Sequence, residues 1–204
     1  AEHLEAVTAG EIRNLIINIP PGHMKSLTAC VFWPAWEWIT APWIRWLFAS
    51  YREQLALRDS VKCRTLIASP WYQARWGRLF TLKDDQNEKR KFENDKTGFR
   101  LATGVSSATG ERAQRVVLDD PHNIEEAESD AERESVTRAW DFTFSQRGAD
   151  PRTSTAVVIM QRLHQADLVG HLLEQGGWEH LKLPSEYDGV PITTSIGWAD
   201  PRTQ

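Results

Sequence analysis

Apolar residues along this chain gather into short runs, each ending in polar or turn-forming residues. Leu15-Ile16-Ile17 leads through Asn18 and Ile19 into Pro20-Pro21-Gly22. Similar runs occupy residues 46–50, 115–119 and 154–160. Runs this short and unbroken predict strands buried on both faces, as in a parallel sheet covered by helices. Between them the pattern changes to a helical period. Residues 52–67 set Leu55, Leu57, Val61 and Leu66 among alternating charges. The acidic stretch 125–144 places Val136, Trp140 and Phe144 on one face at i, i+4 and i+8. Leu4 and Val7 share a face of a short helix that Gly10 ends, and 71–76 reads as another short helix. Residues 91–94 and 99–103 flank Asp95-Lys96-Thr97-Gly98, a hairpin signal. Residues 104–114, rich in Gly, Ser, Thr and Ala, are expected to form a mobile loop, 146–153 another loop, and 184–204 a linker with turns. No internal repeat occurs. Strands alternating with helices predict an α/β fold with a mostly parallel sheet.

Candidate chemistry sits at the ends of three of these strands. After the first come Pro21, Gly22, His23, Met24, Lys25 and Ser26. A Lys-Ser pair at a helix start after a turn suits a nucleotide phosphate. Lys25 offers a point charge to the β/γ-phosphates, Ser26 a hydroxyl to Mg²⁺, and the helix amides cradle the rest. The usual loop pattern wants glycine where Ile19 and Met24 stand, to supply positive φ and close backbone approach. The same residues also fit a buried strand, a Pro-Gly turn and a helix start capped by Ser26. The run ending at Leu118 delivers Asp119 and Asp120. In phosphate-loop NTPases a second strand brings an Asp to Mg²⁺, and a neighbouring carboxylate orients or deprotonates the attacking water. Asp119 takes the first role, through water, and Asp120 the second; an Asp-Pro turn after a strand is the plain alternative. The run ending at Met160 presents Gln161 and Arg162, and ligands of parallel sheets bind at the carboxyl ends of strands.

In order, these segments resemble the ATPase domain of the large terminase subunit of tailed bacteriophages. The resemblance covers Ile17-Asn18-Ile19-Pro20-Pro21-Gly22-His23-Met24-Lys25-Ser26, Phe32-Trp33-Pro34-Ala35-Trp36, Phe48-Ala49-Ser50-Tyr51 and Ser69-Pro70-Trp71-Tyr72-Gln73. It continues through Asp119-Asp120-Pro121-His122-Asn123, Met160-Gln161-Arg162-Leu163-His164, Asp167-Leu168-Val169-Gly170-His171-Leu172 and Gly177-Trp178-Glu179. The family's loop often reads Pro-Pro-Arg-His-Gly-Lys-Ser, and the Pro-Pro-Gly-His-Met-Lys-Ser version here looks like one of its branches. The resemblance implies a three-layer phosphate-loop NTPase sandwich of the additional-strand type, with ATP and Mg²⁺ as cofactors. It implies a motor that drives double-stranded DNA into a preformed capsid. Its partners would be the portal protein, the small terminase subunit and further copies of itself in a ring on the portal; the isolated chain would be monomeric. Residues 1–183 would form the ATPase domain, lacking upstream residues that help hold adenine in the family. Residues 184–204 would lead toward a metal-dependent nuclease domain. The setting would be the host cytoplasm during virus assembly rather than the mature virion.

An arginine stabilising the transferred phosphoryl group is worth ~10³–10⁵ in rate, in cis or from a neighbour. In the family it comes from the phosphate loop, where this chain has Gly22. Arg112 is the first candidate for that role and Arg162 the second. Gln161 would sense the γ-phosphate.

Composition narrows the alternatives. The chain has 204 residues, 41% hydrophobic and 25% charged, enough for one domain with a sizeable core. A net charge of −4 carries no global basic signature for nucleic acid. Five of the ten tryptophans lie between Trp33 and Trp46. Glu37, Arg45 and two prolines interrupt that stretch, so no spanning helix or membrane partner is expected. Cys30 and Cys63 form neither a disulfide framework nor a metal spacing, and the six histidines form no metal motif. A helicase-like ATPase or nucleotide kinase on the same fold, and a non-catalytic ring-assembly module, are the other readings. A kinase needs an arginine-rich lid and a helicase a second motor domain.

Overall fold

The computed structural model describes every residue except Ala108, Thr109, Pro151, Asp188, Pro191, Thr203 and Gln204. Parts of the loops expected over 104–114 and 146–153, and of the linker expected over 184–204, therefore lie outside the described residues. The elements run α1 (Glu2–Ala9), β1 (Asn14–Asn18), α2 (Lys25–Leu27), a π turn (Thr28–Phe32), α3 (Trp33–Thr40), β2 (Trp46–Ser50), α4 (Glu53–Ala68) and α5 (Pro70–Trp76). They continue with β3 (Leu82–Asn87), β4 (Lys91–Asn94), β5 (Phe99–Gly104), β6 (Arg115–Asp119), α6 (Asp130–Phe142), a 3₁₀ turn (Phe144–Gln146), β7 (Thr155–Ile159), α7 (Leu168–Gln175) and β8 (Glu179–Lys182).

The eight strands form one open sheet in the order β3-β4-β5-β2-β6-β7-β1-β8. β5, β2, β6, β7, β1 and β8 are parallel, and β3 and β4 add an antiparallel edge. The expected α/β class and mostly parallel sheet are therefore observed. Side chains along β1 alternate between two cores. Leu15 and Ile17 pack with Val7, Trp33, Trp46 and Val157 on one face, and Ile16 packs with Leu118, Val158, Trp140 and Leu172 on the other. Burial on both faces is why the central strands read as unbroken apolar runs.

The tryptophan-rich stretch is core. Trp33 meets Trp46 edge-on at 4.7 Å, Trp46 stacks on Phe48, and Trp38 packs against Phe80 and Phe92. Among the described residues no helix is long and apolar enough to cross a membrane. Helical backbone is continuous from Lys25 to Thr40, with the π turn just before Pro34. Pro34 has no N–H for the Cys30 carbonyl four residues back. The buried guanidinium of Arg100 supplies the donor instead, Nη2 lying 3.1 Å from that oxygen.

The expected hairpin is β4–β5. Asn94 Oδ1 accepts from the Lys96 and Gly98 amides, and a Cβ on Gly98 would come within 2.0 Å of the Pro42 carbonyl. The acidic helix starts later and ends earlier than expected. Ser129 caps it at Asp130, and Thr143 breaks it before Phe144, which stays buried beside Trp140. β3 and β8 were not expected. Residues 192–202 return to the body of the fold: Thr194 Oγ1 lies 2.9 Å from His3 Nε2, and Trp198 meets the His3 ring.

Candidate functional site

β6, β7 and β1 are adjacent, and all three point their carboxyl ends the same way. The residues after them therefore converge on one edge of the sheet. The turn after β1 carries Gly22 at φ +82° and Met24 at φ +56°. Met24 thus adopts the left-handed backbone that the loop pattern assigns to glycine. A non-glycine residue there costs roughly 1–2 kcal/mol. The His23 imidazole closes the turn, its Nδ1–H donating to the Pro20 and Pro21 carbonyls at 3.2 and 3.0 Å. Among the described residues the amides of Gly22 and Met24 make no backbone hydrogen bond. They adjoin the first-turn amides of the helix at Lys25, which carries no side-chain cap. Uncapped amides at a helix start are the arrangement that binds anions.

Lys25 reaches across the end of β7 to β6. Its Nζ lies 2.5 Å from Asp120 Oδ1, in a pair whose side chains are 9% and 37% exposed. Asp120 sits at φ +44°, a second strained residue, with its N–H bonded to the Ile159 carbonyl and its carbonyl accepting from the Tyr51 amide. The strain turns the chain away from β6 so that adjacent carboxylates face different surroundings. Asp119 Oδ1 is fully buried and has no hydrogen-bond partner. Burial first, then the Asp120 charge, pushes the Asp119 carboxyl up to about 7; the Ser26 hydroxyl and Lys25 oppose that rise. A buried oxygen without a donor, beside a serine hydroxyl, is a set of hard ligands that suits Mg²⁺. Among the described residues no group of three or more His, Cys, Asp or Glu side chains could hold a metal. Mg²⁺ does not require one, because it keeps waters and shares substrate phosphates.

Gln161 follows β7 and opens onto a cleft that Pro20 and Pro21 also line. Arg162 is committed elsewhere. Its Nε donates to Asp167 Oδ2 at 3.0 Å, and Nη2 donates to the His164 and Gln165 carbonyls. Asp167 is wholly buried, also accepts from the Leu163 and His164 amides, and caps α7 through Gly170. His122, two residues after Asp120, accepts from the Leu168 amide at 2.9 Å. The ends of β6 and β7 are thus both tied to the start of α7. Asp167 before Leu168 and Val169 carried a helix-start signal, but its hold on Arg162 had none.

Arg112 is not brought to this edge. The chain leaves the carboxyl end of β5 at Gly104 and returns to the amino end of β6 at Arg115, so Arg112 lies at the far side of the sheet. The four steps of β6 alone, at about 3.3 Å each, put roughly 13 Å between Arg115 and Asp119. There it lines a groove with Arg13, Trp140 and Trp178, and the neighbouring Ala113 bridges to Gly148. Arg112 thus lies at the opposite edge from Lys25 and Asp120, while Arg162 is held by Asp167 and lines the cleft beside Pro20 and Pro21.

The turn's strain gives a direct test. A Cβ on Gly22 would meet nothing within 4 Å, so only φ opposes it. Gly22→Ala is expected to cost roughly 1–2 kcal/mol in urea denaturation, and no more. A larger loss would mean packing that this geometry lacks.

No protein-family model matches the chain, and no curated protein matches it.

Proposed function

We propose that this chain is an ATP-hydrolysing motor domain, the ATPase part of a phage large terminase subunit. The observation that carries the reading is the Lys25–Asp120 pair. It joins a lysine at a helix start to the second of two carboxylates ending another strand, 95 residues on. Support also comes from strand order. β7 lies between β1 and β6, as the additional-strand class of phosphate-loop NTPases would have it. The left-handed Met24 supports it too, because a loop lacking the usual glycine still has that glycine's backbone shape.

In this mechanism the amides of the 22–26 turn hold the phosphate chain. Lys25 exchanges Asp120 for phosphate oxygens, one anion for another. Ser26 and Asp119 are the residues that would hold Mg²⁺, which when bound would supply neutralisation of phosphate charge. Asp120, released from its ion pair, accepts a hydrogen bond from water and takes its proton. Gln161, next to the loop, registers the terminal phosphate. The rigid Asp167 clamp passes its loss to α7. With Arg112 at the far edge of the sheet and Arg162 held by Asp167, the cation is assigned to a neighbouring copy. That fits a ring on the portal, with double-stranded DNA, the portal protein and the small terminase subunit as partners in the infected cell's cytoplasm.

Mg²⁺-dependent ATP hydrolysis measured over a range of protein concentrations tests this. Specific activity is expected to rise with concentration, because the site is completed in trans. Binding of Mg²⁺–ATP with a flat, low specific activity would remove the neighbour's role. Failure to bind would remove the nucleotide reading.

A further inference from the structure

At the amino edge of the sheet, opposite the phosphate turn, runs a groove of about 630 Å³, and none of its lining residues is acidic. Arg13 precedes β1 and Arg112 precedes β6, so these two exposed arginines flank β7, the strand between. Glu111, beside Arg112 in sequence, is paired with Lys91, and Asp150, near Arg13, is paired with Arg152. Thr155 opens β7 and lines the same groove. It is buried, and its Oγ1 has no hydrogen-bond partner among the described residues. A carboxylate seated between the arginines would accept from that hydroxyl. Phe144, Trp140 and Trp178 give the groove an aromatic wall, Trp140 meeting Trp178 edge-on at 5.4 Å. Such a groove fits carboxylates that stand next to an apolar side chain.

The chain carries that pattern itself, beyond the other end of β6. There it turns on Asn123, whose Oδ1 accepts from the Glu125 amide and whose carbonyl accepts from the Glu126 amide. Ala127 is buried, and its carbonyl accepts from the buried Arg133 guanidinium. Held at both ends, the turn leaves Ile124, Glu125, Glu126 and Glu128 exposed, Ile124 by 64%. The turn precedes α6, and the groove lies past the end of that helix. The 13 residues of α6, at about 1.5 Å each, hold the two surfaces roughly 20 Å apart. One chain cannot close this contact on itself, whereas two copies can. A basic, aromatic groove then meets an acidic, apolar turn, and complementary charge sets their register.

We infer that residues 124–128 of one copy dock in the amino-edge groove of a second copy, Glu125 and Glu126 against Arg13 and Arg112, and Ile124 against Trp178. The inference deepens the neighbouring-copy part of the proposed function and rests on it. Association is measured without nucleotide, so failure here leaves the phosphate site standing.

Sedimentation equilibrium of the chain at up to about 1 mM is expected to show reversible association that weakens at high salt. Arg13→Glu/Arg112→Glu and Glu125→Arg/Glu126→Arg each set like charges against one another. Each variant alone is expected to self-associate at least about tenfold more weakly than the parent. Mixing the two in equal amounts is expected to restore association, because each groove then meets a turn of opposite charge. A folding defect cannot produce that recovery. Glu125→Gln/Glu126→Gln alters only exposed side chains, so it keeps the fold and is expected to weaken association several-fold. A parent that stays monomeric throughout, association unmoved by the glutamine substitutions, or a mixture of the folded reversal variants no better than its components would each overturn the inference.

Discussion

Lys25→Ala is expected to lower single-turnover ATP hydrolysis by on the order of 10²–10³-fold, the usual cost of removing one preorganised cation or donor from developing oxyanion charge. Its effect on the empty protein is expected to be far smaller. Breaking a fully buried ion pair costs about 3–5 kcal/mol, because one charge is left without compensation. Here the Asp120 side chain is 37% exposed, so water takes over most of the lost interaction. A stability loss of roughly 1 kcal/mol follows. Asp120→Asn complements it. That change leaves the lysine in place and removes the proton acceptor, for a loss of ~10²–10⁴-fold in turnover with nucleotide binding retained. Lys25→Ala, by contrast, weakens binding as well. Rapid-quench assays beside calorimetry distinguish the two. Hydrolysis unaltered by Lys25→Ala would leave the 2.5 Å pair as an ordinary structural contact.

How far the chain can be read without coordinates depends on how each element is buried. β1, β2, β6 and β7 were legible because both their faces are covered. β3 and β8 were not. β3 consists of Leu82 followed by charged and amide residues, and in β8 only Leu181 is buried, since both strands lie at edges of the sheet. The acidic helix was legible on its buried face, and its true start was written in Ser129, whose Oγ accepts from the Glu132 amide. The phosphate-type loop was obscured for a physical reason. The pattern encodes a backbone shape through glycine, and this chain adopts the shape with methionine. The convergence of Lys25, Ser26, Asp119 and Asp120 followed from parallel strands ending on one edge. Arg112 shows where that reasoning stops. A loop joining parallel strands runs from one edge of the sheet to the other, and sequence does not mark the edge at which a residue within it lies. Arg162 shows another stopping point, because its neighbour Asp167 competes for the guanidinium before any ligand does.

Asp119→Asn is expected to raise the stability of the empty protein near pH 8 while abolishing Mg²⁺-dependent nucleotide binding. The carboxyl is held up to about 7 in the fold, against about 3.9 in an unfolded chain. A carboxyl raised in this way binds more protons folded than unfolded between those two values. Its stabilising contribution is complete below about pH 4, falls as pH rises to about 7, and stays at its minimum above that. Asparagine does not titrate. The difference between the variant and the parent should therefore be near zero at pH 4 and grow to a few kcal/mol by pH 8. Urea denaturation of both proteins across this range gives the curve directly. A difference that does not change with pH, or an asparagine variant that is less stable at pH 8, would mean that a hydrogen bond satisfies Oδ1 after all. The expected outcome has a functional meaning. A carboxylate buried beside a second carboxylate, with an unpartnered oxygen, is a net cost to the empty fold. A divalent cation bridging it to a nucleotide would turn that cost into binding energy, and ligand-free stability and nucleotide affinity would then move in opposite directions at this one residue.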